Sequence, residues 1–152
     1  MKQVLICLLM ASGLLACKKD KYTTSPQVKY KSVNPQSTNI NVGSPIPFLT
    51  FEITDAEGDI GFKANKDTAY IYLTNNLTGR SDSLLFPDLT AAGKSNFKAD
   101  VTVSLASVLQ CRSIPGGALH TDSLYFDFYV KDFAGNKSNV ATTGDPVLFT
   151  CR

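Results

Sequence analysis

The segment DSLYFDFYVKD, residues 122–132, sets apolar and polar side chains in strict alternation. Leu124, Phe126, Phe128 and Val130 fall on one side; Tyr125, Asp127 and Tyr129 fall on the other. Successive side chains of a β-strand point to opposite faces, so a period of two marks a strand with one buried face. The same period runs through most of the chain. FLTFEIT sets Leu49, Phe51 and Ile53 against Thr50, Glu52 and Thr54, and TAYIYLT sets Ala69, Ile71 and Leu73 against Tyr70 and Tyr72. ADVTVSL carries Val101, Val103 and Leu105, and PVLFTC carries Val147, Phe149 and Cys151. DSLLF and a short stretch around residues 40–42 complete about seven strands, each bounded by Gly, Asn, Asp or Pro. No long stretch has a helical period, and LASVLQC predicts a single helical turn. Residues 39–152 are therefore expected to form one all-β domain, an antiparallel sandwich or small barrel.

The N-terminus has another character. Lys2 precedes a short apolar run, Val4 to Leu15, too short to span a bilayer, which takes about 20 apolar residues. Residues 1–16 are expected to be a signal peptide. Its end, LLAC, resembles a bacterial lipobox, in which Cys17 is lipidated (palmitate among its acyl groups) and opens the mature chain. The resemblance implies a membrane partner, held through that lipid. Lys18 in place of Asp favours the outer membrane, on its periplasmic or cell-surface side. Residues 17–38, polar and basic with two prolines, read as a flexible tether of about 20 residues spanning ~25 Å as a coil. Cys111 and Cys151 are then the remaining thiols in a compartment that permits disulfides. One intramolecular pairing is open to them, and two free buried thiols are the alternative.

Charge and composition exclude some functions. A net charge of +2 without a basic stripe argues against a nucleic-acid partner. The single histidine, His120, follows the loop IPGGAL, where a solvated side chain is expected, and no G-x-S-x-G, HExxH, CxxC or phosphate-binding loop is present. The expected chain is not an enzyme. It is a lipid-anchored binding or interaction module with a protein or glycan partner. The alternatives are a small carbohydrate-active or other hydrolase using acidic loop residues such as Glu57 and Asp59, or a structural component that assembles through an unpaired edge strand.

Two segments carry a further resemblance. VKDFAGNKSNV resembles the last hairpin of bacterial immunoglobulin-like and fibronectin-III-like domains, and FEITDAEGDIG resembles the early strand and loop of immunoglobulin-like domains in Bacteroidota lipoproteins. Together they imply an immunoglobulin-like antiparallel β-sandwich. In TDAEGDIGF, Asp55, Glu57 and Asp59 alternate as in calcium loops, but the twelfth position counted from Asp55 is Lys66, so the EF-hand reading fails. The resemblance places this loop at the same end of the sandwich as the last hairpin. Asp55, Glu57, Asp59, Asp132 and Asn136 are thus a candidate calcium set, weighed against Asp and Gly that only punctuate turns. Tyr70, Tyr72, Tyr125 and Tyr129 form either a sugar-stacking patch or cross-strand pairs on a solvated face.

Overall fold

The computed structural model describes residues 21–41, 43–61, 68–87 and 95–152; the expected signal peptide and Cys17 lie outside them. Ten strands are present: β1 (Gln27–Asn34), β2 (Ser37–Asn39), β3 (Phe48–Asp55), β4 (Tyr70–Asn75), β5 (Ser81–Leu85), β6 (Phe97–Ser104), β7 (His120–Leu124), β8 (Phe126–Lys131), β9 (Ala141–Thr142) and β10 (Val147–Cys151). Helical structure among the described residues is limited to two single 3-10 turns, and one of them, Ala106–Val108, falls in LASVLQC.

One layer has the order β1-β3-β6. The other combines β2-β10-β7 with β5-β4-β8-β9, and only Tyr125 separates β7 from β8. Every pairing is antiparallel except β2 with β10, which is parallel. The opening chain is split between the layers, β1 in one and β2 in the other, with β2 beside the last strand. The two layers pack as an antiparallel β-sandwich around one core.

The alternating residues bury as their period requires. Leu49, Phe51 and Ile53 of β3 face Ile71 and Leu73 of β4 and Phe126, Phe128 and Val130 of β8 in one core, each 0% exposed. The rings of Phe51 and Phe128 join the layers, with centroids 5.1 Å apart.

The structure corrects two expectations. Residues 17–38 are not tether throughout: β1 lies inside them and buries Val28 and Val33 in the core. Val28 and Val33 are five residues apart, an odd spacing that would place them on opposite faces of a regular strand. A bulge between Tyr30 and Ser32 resets the register and brings both inward. The strand sought around residues 40–42 lies instead at Ser37–Asn39, and Ile40 is 55% exposed. The count exceeds seven because β1 and the two-residue β9 join the tally and the run DSLYFDFYVKD is interrupted at Tyr125, giving β7 and β8.

Candidate metal centre

β3 delivers Asp55 to the end of the sandwich where the chain enters, since Gln27 pairs with Thr54. The loop after it is held on both sides: the Ala56 amide donates to the Thr23 carbonyl (3.1 Å), and the Asn96 amide donates to the Ala56 carbonyl (2.7 Å). The chain then turns through Gly58, at a positive φ of 67°, whose amide donates to Asp55 Oδ2 (2.5 Å). β8 delivers Asp132 to the same end. Its turn closes through the Gly135 amide on the Asp132 carbonyl (3.2 Å) and the Asn136 amide on Asp132 Oδ1 (2.7 Å). The Phe133 amide donates to the Asp59 carbonyl (3.0 Å) and stitches the two loops together.

Carboxylate oxygens of Asp55, Asp59 and Asp132 consequently lie within 4.8 Å of one another. Asp55 is 0% and Asp132 3% exposed, and Asp59 is half-buried. Of the five candidates, these three meet. Asn136 stands behind them, its amide donating to Asp132 Oδ2 (2.9 Å) and fixing that carboxylate. Glu57 is exposed and lies outside the group. Lys63 and Lys66, which flank this loop in sequence, lie outside the described residues. Among the described residues no Lys or Arg stands within ion-pair distance of the three carboxylates.

Each pair of these charges repels by roughly 3–4 kcal/mol at an effective dielectric constant near 20. Burial is the largest cause pushing the Asp55 carboxyl up to about 6, and Asp59 and Asp132 add to it while the amides of Gly58 and Asp59 pull the other way. The folded value lies above the ordinary 3.8, so the fold holds this proton more tightly than the unfolded chain does. That contribution is present below roughly pH 4 and is lost as pH rises through about 6. With a chelator present, the melting temperature of the full chain is expected to rise on going from about pH 7 to about pH 5, by an amount worth roughly 1 kcal/mol. Asp55→Asn should flatten that rise. A wild-type melting temperature that falls over this interval would contradict the like-charge geometry.

A second polar group lies at the opposite end of the β7–β8 run. Asp122 is 3% exposed and accepts the Arg112 amide on Oδ2 (2.9 Å), with the Arg112 guanidinium 3.5 Å from Oδ1 and His120 Nε2 3.4 Å from Oδ2. Cys151 Sγ is 4.0 Å from the same carboxylate, but that sulfur is bonded to Cys111 (Cα–Cα 5.7 Å) and is no free thiolate. His120 is not the solvated loop residue expected: it opens β7, its side chain is only 16% exposed, and Nδ1 lies 2.9 Å from the Ala118 carbonyl. Asp122 carries a signal in the sequence. It occupies the inward phase of Leu124, Phe126 and Phe128, where an acid needs buried partners.

Of the four tyrosines, two pair across strands, while Tyr70 leans on Tyr72 of its own strand and Tyr70 and Tyr125 are exposed. Tyr72 of β4 sits opposite Tyr129 of β8, with the rings stacked at 4.6 Å and 7°. Lys131 Nζ lies 5.4 Å from the Tyr72 centroid and Lys137 Nζ 4.0 Å from the Tyr129 centroid. The faces of Tyr72 and Tyr129, engaged in this way, leave little area for stacking a sugar. A surface groove of 430 Å³ lies beside β2 and β10, lined by Ser37, Thr38, Asn39, Asn41, Pro45 and Thr150. Its lining is amide and hydroxyl, with no carboxylate. Glu57 and Asp59, the pair of the hydrolase alternative, lie at the other end of the sandwich. No family model, curated protein or solved structure matches the chain.

Proposed function

We propose that the chain is a lipid-anchored, non-catalytic binding or interaction module of the bacterial outer membrane or cell surface. The observation that carries this reading is the Cys111–Cys151 bridge beside an ordered sandwich. Disulfides persist in oxidising compartments, where the LLAC export signal would deliver the chain. The entry geometry supports the same reading. The Lys21 amide donates to Asn96 Oδ1 (2.6 Å) and the Thr23 carbonyl accepts the Ala56 amide, so the chain is already docked four residues after Cys17. Four residues reach at most ~14 Å. The lipid would hold the sandwich close to the bilayer, acidic loops toward it and the His120–Cys151 end away from it.

In membrane fractionation of cells expressing the full chain, wild type is expected in the membrane pellet. Cys17→Ala should move it almost entirely to the soluble fraction, because a single uncleaved apolar run as short as this holds weakly. A variant that stays membrane-bound after carbonate washing refutes the anchor.

A further inference from the structure

We propose that Asp55, Asp59 and Asp132 bind one calcium ion, which braces the two loops at the entry end of the sandwich. This goes beyond the anchoring reading and does not depend on it. Beyond the cluster itself, the further observation is an orphaned buried acceptor. Asp55 is 0% exposed, and while its Oδ2 accepts the Gly58 amide, its Oδ1 has no hydrogen-bond partner. Asp59 Oδ1 is likewise buried without a partner. Buried polar groups ordinarily find partners, and a buried carboxylate oxygen facing other carboxylates calls for a cation.

The dimensions favour calcium among divalent ions. Oxygens at 2.3–2.6 Å from calcium lie up to about 5 Å apart across its shell, whereas a magnesium octahedron spans about 4.2 Å. One oxygen from each of the three residues falls within 4.8 Å of the others. Asn136 fits the role of an outer partner, holding both oxygens of Asp132 in place while remaining off the ion. The Phe133–Asp59 backbone bond already sets the two loops side by side, so little further ordering is needed to bind.

The test compares the purified full chain in millimolar calcium chloride, millimolar magnesium chloride and EDTA, by differential scanning calorimetry and by titration calorimetry with the metal alone. Calcium is expected to raise the melting temperature by several degrees over EDTA, magnesium by less, with about one calcium bound per chain. Asp59→Asn is the informative variant, because the main-chain bond to Phe133 survives it. It should melt above wild type in EDTA, where it relieves repulsion, and lose most of the calcium increment. Glu57→Gln should keep the increment. Coincident wild-type curves in calcium and EDTA with no heat of binding overturn the proposal, as does an Asp59→Asn chain that retains the full calcium increment.

Discussion

Removing the Cys111–Cys151 bridge is expected to lower stability by about 4 kcal/mol. The two cysteines are 40 residues apart, and closing a loop of that length removes about this much chain entropy from the unfolded state. The loss falls where the fold has least else to hold it. The connection from β6 to β7 anchors through Leu105 and Val108, then runs from Ser113 to Leu119 through residues that are all exposed but the half-buried Ile114. Cys111 ties that connection to β10, which is itself held between β2 and β7. The double variant Cys111→Ala/Cys151→Ala should melt roughly 10–20 °C below wild type. Wild type treated with a thiol reductant should approach the same value. Equal melting temperatures with and without reductant would mean that the bridge does not form in solution.

Phe128→Ala is the substitution expected to damage the core most, by about 3–5 kcal/mol in urea titrations. Phe128 is 0% exposed on the central strand pair of its layer and meets Phe51 from the opposite layer. Truncation removes both the buried area and the ring–ring contact that joins the two layers. Phe128→Leu refills most of the volume and should cost ~1–2 kcal/mol. A loss below about 1 kcal/mol for the alanine variant would show that the layers do not pack face to face at this point.

These effects follow from residues whose roles were readable in the sequence. The alternation in β3, β4, β6, β8 and β10 was legible because each strand buries one face and leaves the other in or near solvent, so hydropathy reports directly on the fold. β1 was not, because a local bulge at Lys31 changes the period halfway along and the strand then resembles a polar linker. At the acidic loops the limit was different. The spacing of Asp55, Glu57 and Asp59 suggested three equivalent ligands, but the turn closed by the Gly58 amide brings the first and third to Asp132 and leaves the middle one exposed. Linear spacing counts residues along an extended chain, and a tight turn reverses which of them are neighbours. Asp132 and Asn136 were legible as turn formers, while their hydrogen bonds to each other required the folded hairpin.

The parallel pairing of β2 with β10 has a mechanical consequence. β2 belongs to the opening chain and β10 to its last strand, and they run side by side in the same direction, with Ser37 beside Leu148 and Asn39 beside Thr150. Pulling the Gln27 end and the Cys151 end apart drags these two strands past one another along their length. The Leu148–Gln36 and Ile40–Thr150 backbone bonds then bear the load together in shear, instead of opening one after another as in an unzipped hairpin. Stretched from its two ends, this sandwich resists at a clasp between its second and last strands, and the sulfur bridge beside the clasp passes part of the force to Cys111.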